Sequence, residues 1–175
     1  MTCIVGFKTD NKVYLAGDSS AVELESQYSE VWVSPKVFKK QDCVFGYSGM
    51  FRVGQLLQYS FTLPTRHKES FEEYLITRFV PAFKRLLEKE GIKESWNLLI
   101  GHGSELYAID SEYSVGVIRD SYMAIGFGRD YALGAMYLAS RVALDLSVND
   151  ILKLAIASAA HYSHTVREPV TIIST

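Results

Sequence analysis

The order of elements in the 175-residue sequence predicts an α+β fold, with two antiparallel sheets lying between two layers of helices. Three observations predict it. The chain opens with two short apolar runs around a polar turn; two later strand-like runs end in glycine and hand over to helices; and the whole order is strands, two helices, strands, two helices and a closing strand. No repeat, linker or low-complexity stretch interrupts this order, so residues 1–175 read as one domain.

The opening runs, Cys3 to Phe7 and Val13 to Ala16, flank Thr9-Asp10-Asn11-Lys12, residues that tolerate tight turns, and so form a hairpin. Ser19 to Tyr28 is small and polar and reads as a loop. Val31-Trp32-Val33 and Val37-Phe38 then flank Ser34-Pro35-Lys36 as a short strand pair. Cys43 to Gly49 is a buried strand that ends in a glycine turn, and Phe51, Leu56, Leu57 and Phe61 follow at helical spacing. After Pro64, Ser70 caps a second helix with Phe71, Leu75, Phe79, Phe83, Leu86 and Leu87 on one face; Gly91 stops it and Pro81 is expected to kink it. Trp96 to Gly101, Glu105 to Asp110 and Ser114 to Ile118 form an antiparallel meander, and Met123 to Gly128 is one more strand ending in glycines. A helix from Tyr131 to Asp145, capped by Asp130, precedes a fourth helix that starts at Ser147 and carries Ile151, Leu154, Ala155, Ser158 and Ala159 on one face. Val170 to Ile173 is the last strand.

The composition narrows the partners. With 48% hydrophobic residues, 22% charged residues and a formal net charge of −2, the chain matches an ordinary globular protein, and neither nucleic acid nor a charged membrane surface is expected as a partner. No stretch approaches the roughly 18 apolar residues of a membrane span, and no signal peptide precedes the hairpin, so the mature chain is expected to start at Met1 or at Thr2. The two cysteines, Cys3 and Cys43, are too few for a disulfide framework and fit a reducing cytoplasm.

The hairpin also carries the candidate chemistry. Pairing its strands brings Thr2 and Asp18 to the same end. Methionine aminopeptidases cleave ahead of small residues, and removal of Met1 would leave the Thr2 hydroxyl beside a free α-amine with an ordinary pKa of about 7.7 to 8.0. That one residue then supplies both nucleophile and base. Lys36, set between apolar residues after Pro35, is placed to point an ammonium at the Thr2 hydroxyl, and Asp18 to hold that ammonium in orientation. Gly49, at a strand-to-helix junction, is placed to offer a backbone N–H where an oxyanion develops.

Taken together, Thr2-Cys3-Ile4-Val5-Gly6, Leu15-Ala16-Gly17-Asp18, Lys36-Val37, Gly46-Tyr47-Ser48-Gly49, Ala124 to Gly128 with Tyr131-Ala132, and Pro169 to Ile173 resemble the proteasome β-subunit family, especially the HslV-type peptidases. The resemblance spans nearly the whole chain in the family's order. It implies a four-layer αββα sandwich of the N-terminal-nucleophile (Ntn) hydrolase type, and a threonine peptidase that cleaves peptides or unfolded proteins without a cofactor. Thr2 would be nucleophile and amine base, Asp18 and Lys36 its charge network, and Gly49 the oxyanion donor. It further implies a homo-oligomeric ring, hexameric or heptameric and stacked in pairs, with an ATP-driven unfoldase as partner.

Two segments depart from the family pattern. Where the family has Gly-Ser-Gly, this chain has Gly126-Phe127-Gly128, whose aromatic side chain neither donates nor accepts. Where many members carry an Asp and a Ser near the end of the last helix, it has His161 and His164, expected to act as hydrogen-bonding support under the site. Their spacing of three also invites a metal reading, but two histidines fall short of the three or four ligands a zinc site takes, and no metal is expected. Two other readings stay open: a ring-forming structural subunit without turnover, as Phe127 permits, and an Ntn amidohydrolase acting on a small amide.

Overall fold

The structure, a computed structural model, describes residues 2–22, 29–142 and 145–175. Met1, whose removal the sequence reading requires, lies outside the described residues. β1 (Cys3–Lys8) and β2 (Val13–Gly17) form the expected hairpin, with Ile4 opposite Gly17 and Lys8 opposite Val13. The Thr9 hydroxyl closes the turn, donating to Lys12 O at 3.1 Å and accepting from Lys12 N at 3.2 Å.

The stretch read as a loop from Ser19 to Tyr28 contains a strand instead. β3 (Ser20–Val22) pairs antiparallel with β4 (Ser29–Val31), while residues 23–28 of that reading lie outside the described ones. The expected pairing of 31–33 with 37–38 does not form. Trp32 N donates to Ser19 O at 2.9 Å, tying the end of β4 back to residue 19, and Pro35 has no N–H with which to extend a ladder. β5 (Val37–Lys40) pairs with β6 (Cys43–Gly49) instead.

Helix α1 opens as an α-turn at Phe51–Gln55 and widens to a π-turn at Leu56–Ser60. Lys40 Nζ donates to the carbonyls of Leu57, Gln58 and Phe61, so one side chain from β5 satisfies the end of α1. Helix α2 begins at Phe71–Tyr74, where Ser70 Oγ accepts from Glu73 N at 3.2 Å as expected, widens at Leu75–Phe79 and finishes at Val80–Lys89. Pro81 falls in the first turn after the widened stretch, where the hydrogen-bond ladder is already changing and its missing N–H is least disruptive. β7 (Trp96–His102), β8 (Glu105–Asp110) and β9 (Val115–Val117) are the expected meander, and β10 (Tyr122–Gly126) follows.

Helix α3 (Arg129–Arg141) starts two residues earlier than expected. Its N-cap is Gly128 with no side-chain hydrogen bond; Asp130 sits inside the first turn and pairs with Arg129 at 3.0 Å, so it does not cap. The helix closes at Val142 in extended conformation, so the expected run to Asp145 is too long; residues 143–144 lie outside the described ones. Helix α4 (Val148–Tyr162) is capped by Ser147, whose Oγ accepts from Asp150 N at 3.2 Å. β11 (Thr171–Ser174) closes the chain, one residue later than read.

The strands form a four-stranded sheet in the order β10-β1-β2-β11 and a five-stranded sheet in the order β5-β6-β7-β8-β9, beside the β3–β4 pair. Side chains alternate between the two faces of a strand, and this alternation sorts the core into three clusters. Cys3, Val5 and Ala16 of the first sheet pack against Ala132 and Met136 of α3 and Leu152, Ala155 and Ala159 of α4. Phe45, Tyr47, Leu98 and Ile100 of the second sheet pack against Val53 and Leu56 of α1 and Phe79, Phe83 and Leu87 of α2. Ile4, Val13 and Leu15 meet Val37, Val44, Leu99 and Leu106 between the sheets. The sheets approach so closely that a Cβ at Gly46 would come within 2.6 Å of Ile4 Cγ2. Among the described residues no helix is long and apolar enough to cross a membrane.

Candidate active site

Asp18 follows directly on β2, and its carboxylate is buried where the two sheets part. Both oxygens are engaged. Oδ1 accepts from Cys3 N at 2.9 Å and from Lys36 Nζ at 2.8 Å; Oδ2 accepts from Ser20 N at 3.0 Å and from Arg167 N at 3.4 Å. Burying an ion pair is costly unless the remaining lone pairs are satisfied, and here three backbone N–H groups satisfy them. Asp18 N returns a bond to Cys3 O at 3.2 Å, so the residue after Thr2 is clamped from both sides. The sequence expectation that hairpin pairing brings Asp18 to the N-terminal end of β1 is therefore met in detail.

Lys36 is as buried as its partner. Its own backbone is fixed to β6 by Tyr47 N, which donates to Lys36 O at 3.1 Å, and its Nζ sits 5.6 Å from the centre of the Phe51 ring. Burial lowers the Lys36 pKa below the ordinary lysine value, and the Asp18 charge opposes that shift. The same environment acts oppositely on Cys3: burial, reinforced by Asp18, pushes its thiol up to about 12, which leaves it a packing residue.

Thr2 is 2% exposed and lines a cavity of about 980 Å³ that runs between β6–β9 and β10. Its carbonyl accepts from Gly128 N at 3.3 Å. Gly126, opposite Cys3 in the ladder, has φ +90°, and a Cβ there would collide with Thr2 O. A Cβ at Gly128 would press to 2.8 Å on both Cys3 and Ala159. The two glycines of Gly126-Phe127-Gly128 thus let the chain fold closely around Thr2. Phe127 itself turns outward, 67% exposed, onto the rim of the cavity, and brings no polar atom to it. Gly49 lies on the cavity wall with φ +96°, where any side chain would collide with Ser95 O, so only glycine carries the backbone past this point.

The histidine expectation is corrected. His161 and His164 are exposed, neither lines the cavity, and among the described residues neither imidazole makes a hydrogen bond; His161 only packs edge-on against Tyr162. The reason is helical phase. The inward face of α4 runs through Ala155 and Ala159, and the next position in that row is Ser163. Ser163 and Thr165 are buried and share a 2.7 Å hydrogen bond between their hydroxyls. The segment they anchor delivers Arg167 N to Asp18, while Ser19 N donates to Arg167 O at 2.9 Å and Ser19 Oγ to Pro169 O at 2.7 Å. The sequence reading missed Ser163, Thr165 and Arg167. Continuing the Ala155–Ala159 row by four residues would have found the first. Ser20 holds Asp18 through its backbone N–H.

No family model matches the chain, and no curated protein was found similar to it in sequence. Solved structures are similar in fold. BPH of Thiobacillus denitrificans, solved in complex with epoxomicin, superposes with a TM-score of 0.80 at 20% identity, over 99% of this chain and 97% of that one. Eukaryotic HslV from Trypanosoma brucei gives 0.71 at 20% identity, over 98% of both chains. Anbu, an ancestral beta-subunit, from Yersinia bercovieri gives 0.71 at 14% identity, over 98% of this chain and 80% of that one. The resemblance to HslV-type proteins carried by the sequence motifs is thus present in three dimensions, and at these identities it establishes the fold.

Proposed function

We propose that this chain, which shares the fold of HslV and Anbu, is a threonine peptidase subunit whose nucleophile is Thr2 after removal of Met1. The observation that carries the reading is the buried Asp18–Lys36 pair, which ends on the backbone N–H next to Thr2 and is held by three backbone donors. The three buried clusters support the finer fold, a four-layer αββα sandwich in a single domain. In the reaction, Thr2 Oγ attacks the carbonyl carbon of the scissile bond while its proton passes to the α-amine. The developing oxyanion is met by the Gly49 N–H. The α-amine then protonates the leaving amine, the C–N bond breaks, and an acyl ester remains on Thr2. Water, deprotonated by the same amine, attacks that ester; the carboxylic acid leaves and Thr2 Oγ regains its proton. Lys36 stabilises the charge that develops on Oγ, and Asp18 holds Lys36 in place. No cofactor enters these steps.

A ring of six or seven copies, stacked in pairs and fed unfolded polypeptide by an ATP-driven unfoldase in the cytoplasm, is the assembly that fits this reading. Tyr131, Leu138 and Val142 of the α3 segment and Tyr162 of α4 form an exposed apolar face, with the Tyr131 and Tyr162 rings stacked at 5.5 Å, and this face supports contact between copies. Phe127 favours a second reading, a ring subunit without turnover. One experiment separates them. The purified protein is weighed to see whether Met1 is gone, then wild type and Thr2→Ala are assayed on fluorogenic peptides and treated with epoxomicin. Loss of Met1, hydrolysis that Thr2→Ala abolishes, and one epoxomicin adduct on Thr2 are expected. Retained Met1, or equal rates in the two proteins, would remove Thr2 from the mechanism. Labelling of the free monomer rather than of ring-sized protein would favour the small-amide hydrolase.

A further inference from the structure

Ser48 Oγ is, among the described residues, the one buried side-chain oxygen or nitrogen without a hydrogen-bond partner. The residue is 2% exposed. Along β6, Val44 and Gly46 face the other sheet, and the strand period puts Ser48 on that same face, at the end of β6 where the space between the sheets opens into the cavity. A hydroxyl buried without a partner gives up its bonds to water and gains nothing in return, so natural proteins keep such groups mainly where something else completes them. The neighbour across the gap is Thr2. A Cβ added at Gly126 would meet both Thr2 O and, at 3.2 Å, the Ser48 Cβ, so the Ser48 side chain and the Thr2 backbone lie together on one face of Gly126. Asn97, opposite Ser48 in the β6–β7 ladder and also on the cavity wall, makes no hydrogen bond to its hydroxyl; both Asp18 oxygens are taken up, and the Phe127 side chain, at the rim, has no polar atom to offer.

We propose that Ser48 Oγ accepts a hydrogen bond from the free α-amine of Thr2 and so turns the amine lone pair toward the Thr2 hydroxyl. This rests on the reading of Thr2 as an N-terminal nucleophile. The donor it is to meet, a free α-amine, exists only once Met1 has been removed, which accounts for the unpaired hydroxyl. It supplies from β6 a hydroxyl that Gly126-Phe127-Gly128 does not. An acceptor beside the amine also stabilises its charged form, so Ser48 raises the amine pKa.

The test uses protein released from an N-terminal ubiquitin fusion, so that every variant starts at Thr2. Wild type, Ser48→Ala and Ser48→Thr are compared in three ways: kcat and KM on fluorogenic peptides across pH, the α-amine pKa from the pH dependence of its acylation by acetic anhydride, and Tm. Ser48→Ala is expected to lower kcat by about 10- to 100-fold with KM nearly unchanged. It should move the amine pKa and the acidic limb of the rate profile down together, and leave Tm equal or higher because a buried unpaired hydroxyl is gone. Ser48→Thr is expected to restore rate and amine pKa. A wild-type rate with an unshifted amine pKa in Ser48→Ala would overturn the proposal, as would a change confined to KM, which would assign the hydroxyl to substrate. If wild type hydrolyses nothing, the peptidase reading fails on its own; the acylation pKa still decides for or against Ser48.

Discussion

Asp18 shows how much one side chain can be asked to hold. It neutralises a buried lysine and orders the backbone at Cys3, Ser20 and Arg167. Asp18→Asn keeps the shape but removes the carboxylate charge that pairs with the buried Lys36, so stability in urea is expected to fall by about 3–5 kcal/mol, with peptide hydrolysis lost. Cys43 makes a second prediction. Burial raises its thiol from 9.0 to about 12, with the neighbouring Asp42 adding to the shift. Between those values the unfolded chain has released the thiol proton and the folded chain still holds it, so the folded state binds more protons and this group's contribution to stability falls as pH rises. Urea midpoints of wild type measured from pH 8.5 to 10.5 should therefore decline more steeply than those of Cys43→Ala. Equal slopes would contradict the raised pKa. At this scale the sequence singled out Asp18, Lys36 and Gly49 because the chemistry proposed for Thr2 calls for those residue types. Arg167 stayed hidden because it acts through its backbone N–H, a group every residue but proline carries.

Among the elements, α1 depends on a residue outside itself. Its widened last turn leaves carbonyls that Lys40 collects from β5. Lys40→Met keeps the aliphatic stem and removes the donor, and is expected to cost about 1–3 kcal/mol, seen as an earlier thermal transition. Gly49→Ala places a methyl group where Ser95 O already lies, at a φ that only glycine adopts freely. It is expected to cost about 1–3 kcal/mol and to abolish hydrolysis even where the variant remains folded by circular dichroism. The β1–β2 hairpin, the β7–β9 meander and the phase of α2 were legible because each is set by neighbours in sequence and by a repeating apolar pattern. The β3–β4 pair was not. Its three-residue strands carry no alternation long enough to read, and what fixes their end is a hydrogen bond from Trp32 to Ser19, which local pattern does not encode.

For the whole molecule, the order of elements was enough to anticipate helices and antiparallel sheets, because each amphipathic element has one face to bury. The assembly is written less clearly, since an exposed apolar face reads the same from sequence whether or not a partner covers it. Leu138, 62% exposed in the middle of the α3 face, is the place to ask. On the proposed ring reading, Leu138→Glu is expected to shift wild-type ring-sized protein to monomer in sedimentation velocity while leaving its circular dichroism unchanged; an unchanged sedimentation coefficient would exclude this face as the contact.

The two ends of the chain are sewn together. Asp18 is held by Arg167 N, Ser19 by Arg167 and Pro169, β2 by β11, and Val13 N by the hydroxyl of Thr175. The ground on which Thr2 sits is therefore built from pairs of residues 149 and 150 positions apart. On the proposed reading, a chain cut before residue 163 would carry the candidate nucleophile Thr2 without the Arg167 donor and the β11 strand that hold Asp18 and β2 in place, and should hydrolyse nothing.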